Sequence, residues 1–384
     1  MSETRIYLDN AATTAISDNV LEAMMPWLKE GYGNASSVYS LGRKSAIALN
    51  KARAQCAEIL GCDSRDIFFT SGGTESDNHA VFSAAEAALA KGKRHIITSA
   101  FEHHAILEPL KVLEKQGFDV TYLPVHENGI VRVSDFEAAL TDDTGFVTVM
   151  AANNEIGTVQ PIAEIGGICR ERGITFHTDA VQAFGNIPIN VREQNVDMLS
   201  LSGHKIHAMK GVGLLYVREP ASLRPFIRGG AQQSGKRAGT ENIAGIAGLA
   251  EAMRAAAENI SEKNGKLLPM REKLIAELSK ISGARLNGDR EKRLASNVNF
   301  SFGGIEGEAL ILRLDLLGIA VSSGSACTSG SLDPSHVLTA LGLTKDEARS
   351  SVRITMSDLT TEAEIDELIR VLPGEIEKLR VLIG

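Results

Sequence analysis

Hydrophobic residues in the first two-thirds of the chain follow two alternating patterns. In NVLEAMMPWL and GRKSAIALNKARAQCAEILG, apolar residues recur three or four positions apart, which predicts amphipathic helices, the second ending at Gly61. AILEPLKVLEKQG and PIAEIGGICRERG also have the helical pattern. Short β-branched or apolar runs predict strands: DIFFTSGG, HIITSAFEHH, DVTYLPV, GFVTVMAANN, TFHTDAVQ, VDMLSLSGHK and GVGLLYVR. This alternation predicts an α/β fold with a mostly parallel sheet covered by helices.

The pattern changes after about residue 250. A long charged stretch, residues 247–281, predicts one connecting helix, and the strand-like ASNVNFSF and SVRITMS follow it with further helical segments. A chain of 384 residues is long for one hydrophobic core. We therefore predict a large domain over residues 15–254 and a smaller α+β domain formed by residues 1–14 and 255–384.

The composition narrows the function classes. A hydrophobic content of 43% and a charged content of 23% are typical of globular proteins, and the net charge of −8 disfavours nonspecific binding to nucleic acids or anionic membranes. No apolar run approaches the length of a membrane span, and the first residues lack a signal-peptide pattern. Four cysteines occur without metal-type CxxC pairs. These features predict a cytoplasmic protein without a metal site and with neither nucleic acid nor membrane as a direct partner.

The clearest local signal for chemistry is the sequence Ser202-Gly203-His204-Lys205, directly after the apolar strand VDMLSL. A lysine at the end of a buried strand is unfavourable unless it is paired or neutral. A Schiff base to a carbonyl cofactor is one solution, and it needs a lysine with a lowered pKa. The ordinary alternative for a lone SGHK is a surface lysine at the start of a loop.

An aspartate ends another apolar run. Asp179 closes the strand TFHTDAVQ, one crossover and one strand before Lys205. Pyridoxal phosphate needs an acid beside its pyridine nitrogen because the protonated ring is the better electron sink. Neighbouring strands would offer Asp179 and Lys205 to one ring. A helix N-cap is the competing role for Asp179.

Two further segments follow strands at positions suited to a cofactor. Thr70-Ser71-Gly72-Gly73-Thr74-Glu75 supplies hydroxyls and a helix start for a phosphate, although it matches neither a Walker loop nor a dinucleotide fingerprint. Glu102-His103 follows HIITSAF, and a histidine there would stack on a ring or exchange protons. His104 is adjacent, so the sequence leaves open which histidine faces the site. A structural histidine is the default for either.

Cys327 lies in the small, polar run SSGSACTSGS, which is typical of an exposed loop and makes this thiol a candidate nucleophile. Cys56, Cys62 and Cys169 are associated with helices, where buried thiols are ordinary. Arg353 lies in the strand-like SVRIT, and a buried arginine pairs with a carboxylate. That carboxylate belongs either to an amino-acid substrate or to a structural ion pair.

Taken together, these motifs resemble the cysteine desulfurases of the NifS/IscS type, which are fold-type I pyridoxal-phosphate enzymes. The resemblance spans nearly the whole chain, through YLDNAATT, TSGGTESDN, EHHAIL, NNEIGTVQP, HTDAVQ, SGHK, SGSACTS and SVRIT in the family's order. It implies that L-cysteine is the substrate, that pyridoxal 5'-phosphate is the cofactor, and that sulfur is held as a persulfide on Cys327. It also implies a homodimer and a separate acceptor, such as an iron–sulfur scaffold or a tRNA-thiolation protein.

The resemblance also assigns roles by position. Lys205 is the Schiff-base lysine, His103 stacks on the ring, and Asp179 pairs with the pyridine nitrogen. Asn34 and Arg353 bind the substrate carboxylate, and Thr240 reaches the phosphate of the partner subunit. The remaining cofactor contacts are Gly73, Thr74, Ser202 and His204 at the phosphate, and Asn154 and Gln182 near the ring hydroxyl.

Several positions depart from the family pattern. These are Ala35 in place of Pro, Tyr39 in place of His, Ala208-Met209 in place of Gly-Pro, and Gln233-Ser234 in place of Glu-Arg. None of them removes a catalytic group. The alternatives are a selenocysteine lyase, an aminotransferase built on the same lysine and aspartate, and a non-catalytic platform for sulfur assembly.

Overall fold

The computed structural model describes residues 6–323 and 334–383. Cys327 therefore lies outside the described residues. The described strands are β1 (Ile6–Tyr7), β2 (Ile67–Thr70), β3 (His95–Ser99), β4 (Asp119–Leu123), β5 (Thr144–Thr148), β6 (Thr175–Asp179), β7 (Met198–Ser202), β8 (Gly213–Val217), β9 (Ala284–Leu286), β10 (Asn297–Phe302), β11 (Ile319–Ala320) and β12 (Ser351–Thr355).

The described helices alternate with these strands over the first two-thirds of the chain. They are α1 (Asp18–Lys29), α2 (Ser40–Leu60), α3 (Gly73–Ala90), α4 (His104–Lys115), α5 (Val133–Ala139), α6 (Ile162–Arg172), α7 (Ile243–Glu258), α8 (Ile260–Leu278), α9 (Gly307–Leu316), α10 (His336–Ala340), α11 (Lys345–Arg349) and α12 (Glu362–Ile383). Helix α2 ends as predicted, because Gly61 adopts the left-handed conformation (φ 75°) that caps a helix.

Seven strands form the central sheet, in the order β2-β8-β7-β6-β5-β3-β4. β8 is antiparallel to both of its neighbours, and the other pairings are parallel. The interior strands are buried except at Thr175, the first residue of β6, whereas the edge strand β4 is partly exposed. Apolar runs buried on both faces are what a parallel sheet covered by helices requires. The predicted α/β architecture is confirmed.

A second group of elements packs around its own core. β10 pairs antiparallel with β12 and β9, and β1 pairs parallel with β11. Their buried apolar residues form one cluster with those of α8, α9 and α12, and Leu8 belongs to it. An N-terminal residue thus joins a core built from the last third of the chain. The proposed domain boundaries remain a prediction.

One helix prediction is wrong. The stretch 247–281 is not a single connecting helix, because α7 ends at Glu258 and α8 begins at Ile260. Asn259 between them has φ −99° and ψ 5°, outside the α-helical region. An asparagine side chain competes for local backbone hydrogen bonds, which favours a break at that position. The apolar periodicity of residues 247–281 continues across Asn259, and for this reason the sequence pattern did not reveal the break.

Candidate active site

A cavity of 440 Å³ opens at the carboxyl ends of the parallel strands. Asp179 ends β6, Ser202 ends β7, and the two strands are neighbours with Asp179 opposite Ser200. Ligand sites in open α/β sheets lie at this edge. The predicted residues that line the cavity are Gly73, Thr74, His103, Asn154, Asp179, Gln182, Ser202, His204, Lys205 and Arg353.

Lys205 lies at the end of a one-turn 3-10 helix that directly follows β7. Its Nζ donates hydrogen bonds to the carbonyl oxygens of Ala11 (2.6 Å) and Ala12 (2.8 Å). Gln182 donates to the same Ala11 oxygen at 2.9 Å. The lysine is therefore held inside the cavity by the N-terminal segment and does not begin an exposed surface loop.

Asp179 is buried in the same cavity, and its Oδ1 accepts a hydrogen bond from the Val181 amide at 2.8 Å. Burial raises the pKa of Asp179 to about 6, although the Val181 hydrogen bond and the charge of Lys205 both act to lower it. The sequence left two roles open for Asp179, a capping residue and an acid beside the cofactor ring, and the structure is compatible with both. The carboxylate caps a local turn, and it also faces the space in which a ring nitrogen would bind.

The structure distinguishes the two adjacent histidines. His103 is the N-cap of α4, where its Nδ1 accepts from the Ala105 amide at 3.1 Å, and it lines the cavity. Burial, together with the charge of Lys205, lowers the pKa of His103 to about 4, so the ring is neutral at physiological pH. His104 points away and packs its ring 4.7 Å from that of His336.

The start of α3 forms one end of the cavity. A Cβ added at Gly73 would lie 2.9 Å from a methyl of Val181, and Gly72 has φ 154°, which disfavours any side chain. Gly72, Gly73 and Thr74 at this helix start line the same cavity as Ser202 and His204. Lys210, which the sequence analysis missed, adds a cation to the lining. Amides, hydroxyls and a cation are suited to a phosphate.

The donor set fits pyridoxal 5'-phosphate on these observations. A carboxylate, a lysine amine and a flat neutral imidazole line one cavity whose far end is a helix start kept open by glycine. Each group corresponds to one part of the cofactor: ring nitrogen, aldehyde, ring face and phosphate.

Arg353 is buried, at 2% exposure, and meets a protein carboxylate. One terminal nitrogen donates to Asp9 at 2.7 Å, and the other donates to the Asn154 carbonyl at 3.2 Å. Nε has no hydrogen-bond partner among the described residues. Arg353 therefore forms the structural ion pair that the sequence left open as one alternative. Its Nε–H remains available to a ligand at the cavity wall.

Both flanks of the segment that contains Cys327 lie at this site. Ser322 pairs with the backbone of Arg353, with N–O distances of 3.1 and 2.6 Å. On the other side, Ser335 donates to Glu155 at 2.5 Å, and His336 bonds to the carbonyl of Glu102, the neighbour of His103.

Two predicted residues are not brought to the cavity. Asn34 is exposed, and its Oδ1 accepts from the Ser36 amide at 2.9 Å. Thr240 is also exposed and does not line the cavity. Their predicted roles at the substrate and at a partner's phosphate remain predictions.

Sequence reasoning missed the N-terminal segment 9–14 as a part of the site. Asp9 pairs with Arg353, and the carbonyls of Ala11 and Ala12 hold Lys205. The Thr13 hydroxyl lies 3.2 Å from Nδ1 of His204. The signal was the polar YLDNAATT so close to the start of the chain, but backbone carbonyls have no sequence signature.

A second missed group is a set of buried polar residues behind Asp179. His177 bonds to the hydroxyls of Thr148 and Ser200, each at 2.9 Å, and its Nε2 is 3.7 Å from Asp77. Burial lowers the pKa of His177 to about 3, so the ring is neutral. Burial and the charge of Asp179 raise the pKa of Asp77 well above its usual range. These residues lie on strands and a helix that read as ordinary core.

Within residues 6–323 and 334–383, no group of His, Cys, Asp and Glu side chains is placed to hold a metal ion. In the same ranges, no helix is long and apolar enough to span a membrane.

Comparisons with known proteins agree with this geometry. The profile of the aminotransferase class-V family matches residues 6–368. A cysteine desulfurase IscS from Methanosarcina thermophila is 49% identical over 98% of this chain and 93% of its own length. One from Dictyoglomus turgidum is 49% identical, over 98% and 96%. Among solved structures, a NifS-like protein superposes with TM-score 0.92 at 38% identity, covering 98% of this chain and all of its own. SspA in complex with cysteine superposes with TM-score 0.81 at 37% identity, over 93% of this chain and all of its own.

Proposed function

We propose that this chain, which belongs to the aminotransferase class-V family, is a pyridoxal-phosphate-dependent cysteine desulfurase. It converts L-cysteine to L-alanine and holds the sulfur as a persulfide on Cys327 for transfer to an acceptor. The observation that carries the proposal is the convergence of Lys205, Asp179, His103 and Arg353 in one cavity. The high identity to proteins named cysteine desulfurase, over nearly the full chain, supports the choice of substrate.

The residues proposed to hold the cofactor follow from the lining. Asp179 would pair with the ring nitrogen and His103 would stack on the ring, while Lys205 would bind the aldehyde. Gly73, Thr74, Ser202 and His204 would hold the phosphate, and Asn154 and Gln182 would lie near the ring hydroxyl. When bound, pyridoxal phosphate supplies the electron sink that stabilises negative charge on the substrate Cα.

The chain's own groups would then act on the substrate. Arg353, with Asn34, would bind the carboxylate of L-cysteine, and Nζ of Lys205 would take the Cα proton. The Cys327 thiolate would attack the substrate sulfur, so that a sulfur–sulfur bond forms while the substrate Cβ–S bond breaks. The remaining carbon fragment takes up protons and leaves as alanine.

The flanks of residues 324–333 support the role of Cys327. Ser322 is paired with Arg353, and Ser335 and His336 are bonded beside His103. In the sequence, Cys327 lies between these two attachment points, four residues after Ser323. The buried Cys56 and Cys169 have raised pKa values because burial disfavours the thiolate, to about 12 for Cys56, so neither suits nucleophilic attack.

The finer parts of the proposal concern partners and location. We place Thr240 at the cofactor phosphate of a partner subunit, in a cytoplasmic homodimer. The acceptor of the persulfide would be a separate protein, such as an iron–sulfur scaffold or a tRNA-thiolation protein.

The test is to supply L-cysteine and a reductant to the purified protein and to its Cys327→Ser and Cys62→Ser variants, and to measure sulfide and alanine. We expect equal amounts of both products from the parent and from Cys62→Ser, and almost none from Cys327→Ser. Equal product formation by all three proteins would exclude Cys327 as the sulfur carrier.

A further inference from the structure

The ammonium of Lys205 lies in a cradle of two main-chain carbonyls. Nζ donates to Ala11 O at 2.6 Å and to Ala12 O at 2.8 Å, which are short, strong contacts for a charged donor. Neither acceptor is itself a charged group. The cradle therefore acts on Lys205 through two fixed dipoles and not through a counter-ion.

The cradle is held in place by a side chain on a different part of the fold. The Ala11 amide donates to Oγ1 of Thr355 at 2.9 Å, and Thr355 is 2% exposed at the end of β12. Asn10 donates to the carbonyl of Thr355, also at 2.9 Å, and the Ala12 amide closes a turn onto Asp9. The segment that carries the two carbonyls is thus fastened to β12 through both the hydroxyl and the carbonyl of Thr355.

We propose that Thr355 is a positioning residue for the lysine of the proposed desulfurase site, acting through the carbonyls of Ala11 and Ala12. Two carbonyl oxygens directed at one nitrogen stabilise the ammonium over the neutral amine. The cradle thereby favours the state in which Lys205 holds a proton, and it fixes where that proton is held. This inference rests on the proposed function for the identity of the substrate and for the role of Lys205 as the base.

The proposed step transfers one proton from the substrate to Lys205. The Cα–H bond of the substrate breaks, the proton passes to the neutral amine of Lys205, and the electron pair stays with the substrate. Lys205 becomes an ammonium, which the two carbonyls receive. Return of the proton to carbon reverses the step.

Other charged groups also face Lys205. Asp179 on β6 favours the ammonium, whereas Arg353 in the same cavity disfavours it. His103 and His204 are neutral, because burial and Lys205 lower their pKa values to about 4. Lys205 also lines a second cavity of 450 Å³ that contains Lys263 and the His207–Asp358 pair. Replacing Thr355 alters none of these charges, so an effect of that change reports on the cradle.

The variants compared are Thr355→Val, which keeps the side-chain shape and removes the acceptor, and Thr355→Ser, which keeps the acceptor. Thr360→Val is the matched control, because its buried hydroxyl accepts the Ser357 amide at 3.0 Å and makes no hydrogen bond to residues 9–12. All three are made in the full chain.

The first readout needs no enzyme activity. In the cofactor-free protein, the rate at which an amine reagent modifies Lys205 is followed by peptide mass spectrometry between pH 7 and 10. A pKa lower by about one unit makes the neutral amine roughly tenfold more abundant below that pKa. We expect modification up to about tenfold faster in Thr355→Val, and parental rates in Thr355→Ser and Thr360→Val.

The second readout isolates proton transfer in the cofactor-loaded enzyme. Exchange of the Cα hydrogen of L-alanine with D₂O, followed by proton NMR, does not involve Cys327. We expect the midpoint of the pH profile for exchange to fall by about one pH unit in Thr355→Val and to return to the parental value in Thr355→Ser, with cofactor absorbance retained.

Parental labelling rates in Thr355→Val, or equal shifts of the exchange profile in Thr355→Val and Thr355→Ser, would overturn the proposal. If the parent neither exchanges alanine nor releases sulfide, the proposed function fails. The labelling comparison would still decide the role of Thr355, since it uses no substrate.

Discussion

A carboxylate oxygen of Asp9 lies 2.7 Å from a guanidinium nitrogen of Arg353, although the two residues are near opposite ends of the chain. Arg353 is almost fully buried, and Asp9 is the one acidic group bonded to it among the described residues. Arg353, on β12, also donates to the carbonyl of Asn154, a residue that lines the 440 Å³ cavity. It therefore connects the N-terminal segment to the wall of that cavity. The pair ties the arginine that we propose as a substrate ligand to the N-terminal segment.

The first prediction is that Asp9→Asn destabilises the protein. It leaves the buried guanidinium without its counter-charge while keeping one acceptor oxygen, so we expect a loss of about 2 kcal/mol in the free energy of unfolding. Denaturant titration measures it. Glu108→Gln is the control, because the Glu108–Lys111 pair is exposed and should contribute nothing measurable. Equal stabilities of the parent and Asp9→Asn would show that Arg353 does not depend on Asp9.

The second prediction contrasts two buried aspartates that line one cavity. Asp179→Asn should lower kcat by at least about 100-fold, because an amide cannot hold the ring nitrogen in its protonated form. Asp77→Asn should retain kcat within a few-fold, because burial and the charge of Asp179 raise the pKa of Asp77 and favour the neutral carboxyl, which an amide resembles. Steady-state kinetics and cofactor absorbance test both. A severe loss in Asp77→Asn would mean that Asp77 acts as an anion.

The third prediction concerns pH and Glu102. This side chain is fully buried, and both of its donors, Ser99 and Met150, go to Oε1, while Oε2 has no partner among the described residues. Burial raises the pKa of Glu102 to about 8. The folded pKa lies above the unfolded value of about 4.3. The protein is therefore most stable with respect to Glu102 at low pH, and it loses this stability as the pH rises toward 8.

Glu102→Gln removes that dependence. The difference in unfolding free energy between the variant and the parent should shift in favour of the variant by on the order of 3 kcal/mol when the pH is raised from 5 to 7.5. Unfolding titrations at both pH values measure this difference, with Glu108→Gln as the exposed control. A difference that does not change with pH would show that Glu102 titrates normally.

The fourth prediction uses a departure from the family pattern. Oε1 of Gln233 accepts from both Arg53 and the Phe69 amide at 3.0 Å, while the buried Nε2 has no described partner. Gln233→Glu would replace the unpaired donor with an acceptor beside the half-buried guanidinium of Arg53. We expect the stability to rise by about 1 kcal/mol, measured by thermal or denaturant unfolding. Gln232→Glu, at the neighbouring position, should not produce this gain, and a destabilised Gln233→Glu would contradict the argument.

The sheet could be predicted because each of its strands is a short apolar run followed by polar residues. The same rule placed Asp179, Ser202 and Lys205 at one edge, because the carboxyl ends of parallel strands meet there. The hydrophobic pattern does not show which distant segments of the chain contact each other. Leu8 in the core of the last third, and Asp9 against Arg353, depend on contacts between distant residues.

The remaining misses have specific physical causes. The break at Asn259 lies within uninterrupted apolar periodicity, so one helix was predicted where α7 and α8 form. The cradle of Lys205 consists of main-chain atoms of two alanines, which carry no side-chain signal. The choice between His103 and His104 needed the start of α4, since the N-cap faces the cavity and the next residue does not.

The most direct test of the account is to detect sulfur on Cys327. The cofactor-loaded protein is incubated with one equivalent of L-cysteine without reductant, alkylated, and analysed by peptide mass spectrometry. We expect one extra sulfur atom on the peptide that contains Cys327, removable by a reductant, and unmodified Cys56, Cys62 and Cys169. Alanine formation with no sulfur on Cys327 would contradict it.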